Sequence, residues 1–147
     1  LTMIVRDARL DDVSTWAAMR ARLWPDAEAA ELASELPAML ADPTLWNFIL
    51  TDTGDRAVGF AEVQLRTMFD GCAVPPYPHI EGLWVDAALR RRGGARALLA
   101  AIEARARERG HDRVGSDVEL DNIISQTWHE TSGFKEEART ILYSKPL

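Results

Sequence analysis

Between Ile80 and Gly110 the chain passes through three textures in a fixed order. Ile80-Glu81-Gly82-Leu83-Trp84-Val85 is short, apolar and β-prone, and reads as a buried strand. Asp86 to Leu89 leads into a basic turn, Arg90-Arg91-Arg92-Gly93-Gly94-Ala95. Beyond it Ala95, Leu98, Leu99, Ile102 and Ala106 recur at helical spacing and form one apolar stripe. A strand, a basic glycine turn and a helix start together make the layout of an anion site. The first backbone N–H groups of a helix are unpaired, the dipole adds partial positive charge, and glycine lets the backbone come close to a phosphate. The spacing Arg90-x-x-Gly93-x-Ala95 lacks the Lys-Ser/Thr of a Walker A loop and the first glycine of a dinucleotide fingerprint. The plain alternative is a solvated basic loop opening a helix.

The rest of the chain supplies elements around this unit. Met3 to Asp7 reads as a strand, and Asp11 or Asp12 as the cap of a helix to about Leu23, with Val13, Trp16, Ala17, Met19, Arg20 and Leu23 near its inner stripe. Trp24-Pro25 ends that helix. Asp26 is expected to cap a second helix to about Leu40, kinked or broken at Pro37. Trp46 to Asp52 and Arg56 to about Arg66 read as a hairpin around Thr53-Gly54-Asp55. Thr67 to Pro78, which contains Asp70-Gly71 and three prolines, is expected to be an irregular and functional loop. Gly110 closes the long helix. A strand over Arg113 to Val118 follows, then a helix capped by Asp121 or Asn122 and ended by Gly133. Phe134 to Arg139 and Thr140 to Lys145 are expected to form a final antiparallel pair. The order is that of an α+β domain with a mixed sheet.

The length suits one domain, and Met3 reads as its natural start, with Leu1 and Thr2 a remnant before it, so a single domain over 3–147 is expected. No apolar run approaches membrane-spanning length, and no secretory leader or membrane association is expected. The single cysteine, Cys72, excludes an internal disulfide and suits a cytoplasmic location. His79, His111 and His129 lack metal-ligand spacing, so no metal is expected. A formal net charge of −6 argues against nucleic acid as a partner and is compatible with a cationic substrate.

The Arg90-x-x-Gly93-x-Ala95 turn after a central strand resembles the pyrophosphate loop of the GCN5-related N-acetyltransferases (GNAT). The element order resembles that family along nearly the whole chain, as do Asn122 near the start of the last helix and Gly133-Phe134 at its end. The resemblance implies the GNAT acyl-CoA N-acyltransferase fold, a mixed and mostly antiparallel sheet flanked by helices, with acetyl-CoA as donor and an amine as acceptor. It implies that the backbone of Leu83, Trp84 and Val85 pairs with the pantetheine arm, while their side chains pack in the core. It implies that Arg90, Arg92, Gly93, Gly94, Ala95 and Arg96 form the pyrophosphate loop, and that Asn122 touches the coenzyme near its thiol end. Glu81, at the start of the central strand, either takes a proton from the acceptor ammonium or only binds that cation. His129 stands where relatives often carry Tyr; it either protonates the leaving thiolate or packs against the coenzyme.

Further segments are similar to the aminoglycoside 6′-N-acetyltransferases: Leu23-Trp24-Pro25, Leu65-Arg66, Phe69-Asp70-Gly71-Cys72, Glu81-Gly82, Ser116-Asp117 and Asn122-x-Ile124-Ser125-Gln126 with His129. That similarity implies an aminoglycoside acceptor and antibiotic resistance, with Trp24, Phe69, Glu81 and Asp117 as acceptor contacts. A ring can face a sugar or a cation, and carboxylates suit ammoniums; Trp24 is otherwise a helix-end core residue. The acidic residue that relatives carry after Gly-Phe falls, by gapless count, at Ala138, so Glu137 is the expected replacement. Relatives commonly dimerise through their C-terminal strands, so a homodimer is expected, with Ile141, Leu142 and Tyr143 as an edge to be covered. The competing expectations are an acetyltransferase for another small amine or a peptide N-terminus, and a non-catalytic acetyl-CoA-binding module.

Overall fold

The computed structural model describes residues 2–147, so the remnant reading of Leu1 lies outside the described residues. One five-stranded sheet runs through it in sequence order: β1 (Ile4–Asp7), β2 (Leu45–Thr51), β3 (Ala57–Arg66), β4 (Tyr77–Val85) and β5 (Gly115–Ser116). The first three pairings are antiparallel and β4–β5 is parallel. The helices are α1 (Val13–Leu23), α2 (Ala29–Ser34), α3 (Leu36–Ala41), α4 (Gly94–Glu108) and α5 (Ile123–Thr131). The α+β class and the mixed, mostly antiparallel sheet are as expected.

Strand alternation divides the core between two faces. Phe48, Leu50, Ala61, Val63 and Val85 pack with Leu98, Ile102 and Ala106 of α4. Ile49 and Phe60 pack with Trp16 and Met19 of α1 and Leu36 of α3, with Trp84 against them. Leu98 and Ile102 are fully buried, and each such side chain contributes roughly 1.5–3 kcal/mol. The stripe on α4 therefore does what its spacing predicted.

The α1 face also carries ions. Glu62 is buried on β3 and accepts hydrogen bonds from Trp16 Nε1 (3.0 Å), Arg20 Nε (2.9 Å) and the terminal nitrogen of Arg20 (3.0 Å). The other terminal nitrogen of Arg20 donates to the Leu32 carbonyl at 2.6 Å and to Glu35 at 2.8 Å. This is why Arg20 lies on the inner stripe of α1: it ties α1, α2 and β3 together. Burial pushes the Glu62 carboxyl up, against the pull of Arg20.

Several boundaries differ from expectation. Asp12 precedes α1 but makes no cap bond; its carboxylate instead takes the Arg9 N–H at 2.7 Å and a bidentate pair with Arg6. Asp26 caps nothing, because a turn carried by Ala27 N–H to the Trp24 carbonyl precedes α2, and Glu28 is the residue at its start. The expected long helix breaks at Glu35, with Pro37 in the first turn of α3, where a missing N–H is harmless. β4 begins at Tyr77, so Tyr77 and Pro78 leave the expected loop and, with His79, pair with Arg66, Leu65 and Gln64. The strand expected over 113–118 shrinks to Gly115–Ser116. The final antiparallel pair is absent: residues 132–147 contain no strand. The exposed run around Ile141, Leu142 and Tyr143 pairs with no strand among the described residues, and the β5 edge of the sheet is only two residues long.

Candidate active site

The site grows from an irregularity in β4. Glu62 pairs with Gly82 and the next residue, Val63, pairs with Ile80, so Glu81 is the extra residue of a bulge. The bulge bends β4 where β5 leaves it: pairing ends at Ile80 with Ser116. Beyond that point the edge of Leu83–Val85 facing β5 has no strand partner. An extended ligand can add itself to such an edge through backbone hydrogen bonds. Leu83 and Val85 meanwhile pack in the α4 core and Trp84 in the α1 core.

The turn after β4 is built for close approach. Gly93 lies at φ +89° and precedes α4, and Arg91 is also left-handed at +64°. Gly94 is needed for a different reason: a Cβ there would stand 3.0 Å from Leu50 and from Val85, so the helix start lies directly on the sheet. Arg90 turns inward and donates from Nε to the Val85 carbonyl at 3.2 Å. Arg91, Arg92 and Arg96 are exposed and join no salt bridge among the described residues. Ala95 is half-buried in the first turn of α4. Asn122 caps α5, its side-chain oxygen accepting the Ser125 N–H at 3.1 Å, which leaves its amide NH₂ uncommitted.

His129 is held by α5 against the end of β5. Its Nδ1 is 2.7 Å from the Ser125 carbonyl, which only accepts, so Nδ1 carries the hydrogen. Its Nε2 is 2.7 Å from Ser116 Oγ. Trp128 and Phe134 pack edge-on against the ring at 4.9 and 5.1 Å. His129 thus meets its surroundings through Ser116, a residue the sequence reading did not place in the site.

On the other side of the bulge, Trp24 lies over Gly82: a Cβ there would come within 2.8 Å of the indole. The Arg20 guanidinium stacks 5.1 Å from the same ring and Phe60 meets it edge-on at 6.3 Å. Trp24 is therefore both a core residue and a wall beside Glu81. Glu81 itself is engaged. Arg66 donates to both its oxygens at 3.0 Å, and Arg66 also donates to Asp70 at 2.7 Å. Asp70 further accepts from the Tyr77 hydroxyl and from the Cys72 N–H at 3.0 Å. Burial pushes Glu81 up, but His79 and Arg66 outweigh it and hold the carboxyl at about 2. Against its desolvation, Tyr77 and Arg66 keep Asp70 low; burial and then Asp70 push the Tyr77 hydroxyl up, and Glu81 and Asp70 push the Arg66 guanidinium up.

The remaining acceptor residues are scattered more widely. Asp117 follows directly on β5 and is exposed. Phe69 is 71% exposed and stacks on no other ring. Glu137 is turned to Arg113, 3.5 Å away, whereas Ala138 faces the loop at Gly71. Both partners of the Glu137–Arg113 pair are open to water. Arg66, Asp70 and His79 were not singled out as site residues; the β3–β4 register, which pairs Gln64 with His79 and Arg66 with Tyr77, is what gathers them. Among the described residues no group of three or more His, Cys, Asp or Glu could hold a metal ion, and no helix is long and apolar enough to cross a membrane.

The profile of the Acetyltransferase (GNAT) family matches residues 14–134. The chain belongs to this family. Among curated GNAT relatives, aminoglycoside N(6′)-acetyltransferase type 1 of Serratia marcescens is 33% identical over 93% of this chain and 94% of its own. The enzyme of the same name from Stenotrophomonas maltophilia is 34% identical over 97% and 93%. Among solved structures, AAC(6′)-Iy in complex with the bisubstrate analogue CoA-S-monomethyl-acetylneamine superposes with a TM-score of 0.92, at 30% identity and full coverage of both chains. AAC(6′)-Ih from Acinetobacter baumannii gives 0.90 at 27% identity, over 99% of each. The GNAT fold expected from the sequence is therefore the fold observed.

Proposed function

We propose that this chain is an aminoglycoside 6′-N-acetyltransferase, moving acetyl from acetyl-CoA to the 6′-amino group of the antibiotic and so conferring resistance. The observation that carries the proposal is one alignment: the free Leu83–Val85 edge runs from the bulge, where a carboxylate stands beside the wall of Trp24, to Val85, on which the Gly93–Gly94 turn lies. The full-length relatedness to enzymes of that name supports the same reading.

The residues fit the donor. Gly93 supplies left-handed backbone, Gly94 brings the helix start close to the sheet, and the unpaired N–H groups of Gly93 to Arg96 face an anion, with Arg91, Arg92 and Arg96 as surrounding positive charge. Acetyl-CoA supplies the activated acetyl group. The β4 backbone holds its arm in register, and a backbone N–H of that edge polarises the thioester oxygen. Glu81, ionised far below neutrality, binds the acceptor ammonium rather than serving as its base, since an efficient base titrates near the working pH. Trp24 covers a sugar face, and Asp117 receives a second ammonium. The acceptor nitrogen loses a proton and the departing thiolate needs one: Nε2 of His129, which carries no hydrogen at rest, takes that proton through Ser116 Oγ and returns it by the same route to the thiolate.

Two further points belong to the proposal. The protein works in the cytoplasm, where acetyl-CoA is available. It is a homodimer in which the unpaired C-terminal run with Ile141, Leu142 and Tyr143 is covered by a second copy. The test is an acceptor panel of kanamycin, tobramycin, spermidine and a peptide amine with acetyl-CoA, the acetylated position read by mass spectrometry and NMR. Acetylation at the 6′ position is expected; no turnover of any aminoglycoside refutes the assignment.

A further inference from the structure

The carboxylate that faces the acceptor already holds a cation. Arg66 presents its fork to Glu81, Nε to one oxygen and a terminal nitrogen to the other, both at 3.0 Å. Among the described residues the other side-chain nitrogen beside Glu81 is Nδ1 of His79, 3.4 Å away. We infer that Arg66 is a built-in competitor for the acceptor: it occupies the ammonium position on Glu81 and must yield it when a substrate amine binds. The inference deepens the proposed function and rests on that reading of Glu81.

Four observations support an exchange rather than a fixed brace. First, Arg66 has somewhere to stay. Its remaining nitrogen is on Asp70 at 2.7 Å, and Asp70 is anchored independently by the Tyr77 hydroxyl and the Cys72 N–H. Releasing Glu81 leaves that second contact intact. Second, Glu81 has a backstop. The Nδ1 of His79 is buried, has no hydrogen-bond partner, and lies beside Glu81, so the carboxylate keeps a neighbour when Arg66 leaves. Third, there is room for Arg66: an open, shallow hollow of about 320 Å³ lies on its side of the pair, lined by Gln64, Arg66, Met68 and Asp70. Fourth, the pair is wet. The Arg66 and Glu81 side chains are 27% and 32% exposed, whereas those of Arg20 and Glu62 are 7% and 5% exposed. Water can replace each partner during the swap at Glu81, but not at Glu62.

A competitor raises the acceptor concentration needed to fill the site and leaves the donor half alone. In R66Q the acceptor KM, and the Kd of kanamycin measured by calorimetry on coenzyme-A-loaded protein, should fall about two- to fivefold, the factor expected of a partly exposed ion pair. The acetyl-CoA KM should not change, and R66K should lie between R66Q and the parent. Circular dichroism and thermal melting establish that the variant is folded. A brace predicts the reverse: a raised acceptor KM with a lowered kcat overturns the inference, as does an unchanged KM. The same ratios are read with spermidine. Loss of kanamycin binding by the parent protein alone would count against the aminoglycoside assignment. Absence of the R66Q effect on both cations would count against Arg66.

Discussion

Replacing Glu62 by Ala should be strongly destabilising. Glu62 accepts three hydrogen bonds, two from Arg20 and one from Trp16, at a site almost closed to water. Its removal leaves Arg20 buried with only the Leu32 carbonyl and the half-exposed Glu35. Breaking a buried pair from one side costs about 3–5 kcal/mol, because the surviving charge loses its buried counterpart and keeps only a half-exposed one. At this length each kcal/mol is worth about 3–4 °C in Tm, so the loss reads as about 10–20 °C. Thermal denaturation followed by circular dichroism measures it.

The reasoning has a second arm. If the cost is that of an orphaned charge, then removing the charge as well should restore much of the loss. R20M/E62L should melt well above E62A, since apolar replacement of a whole buried pair is often neutral or stabilising. Arg20 also stacks on Trp24, which lies over Gly82 beside Glu81. The double variant should therefore recover stability while keeping a raised acceptor KM, with the acetyl-CoA KM unchanged. A double variant as unstable as E62A, or an E62A that loses less than about 1 kcal/mol, would refute the account of the buried pair.

Gly82→Ala places a methyl group 2.8 Å from two indole carbons of Trp24 and 3.1 Å from Leu23, so it should cost about 1–3 kcal/mol and raise the acceptor KM selectively; unchanged acceptor kinetics would detach Trp24 from the site. The Glu81 carboxyl is lowered from its ordinary value, so the stability it contributes is present above the unfolded-state pKa and is lost as pH falls through about 2. Accordingly kcat/KM for the acceptor should show no acidic limb from Glu81 between pH 4 and 6, and an acidic limb there that disappears in E81Q would contradict this. Leu142→Asp puts a charge into the 90%-exposed centre of the unpaired C-terminal run, and should turn a dimer into a monomer by analytical ultracentrifugation; a parent protein that is itself monomeric at micromolar concentration ends the dimer proposal.

What the sequence revealed and concealed follows from how local each cause is. The strand, basic turn and α4 were legible because their signals are short-range: a β-prone run, two glycines, and a stripe at 3.6-residue spacing. Even there, adjacent glycines serve different ends. Gly93 answers to its own φ, which is local, and Gly94 to contact with Leu50 and Val85, which is not. The start of β4 was hidden because Pro76 and Pro78 read as breakers, yet Tyr77 and His79 are fully buried and pair with β3. The long-range contacts, not the local propensity, decide that boundary. The C-terminal pair failed for the opposite reason. Ile141-Leu142-Tyr143 is β-prone, but local propensity cannot supply a partner, and the outer edge of β5 is only two residues long.

The two arginine–glutamate pairs show why a site is harder to read than a fold. Both use the same fork-to-carboxylate chemistry, and they stand almost next to each other: Glu62 pairs with Gly82, the residue after Glu81. In sequence nothing separates their roles. What separates them is the face and the bulge. Alternation turns Glu62 into the α1 face, where water is excluded and the pair is fixed with α1 and α2. The bulge turns Glu81 out to the mouth of the cleft, where water reaches both partners and a third cation can compete. Desolvation therefore makes the first pair a structural tie, and solvation makes the second exchangeable. The site thus comes from one extra residue in one strand: without the bulge, strict alternation would bring Glu81 into a register that no longer meets Arg66 and the free edge together.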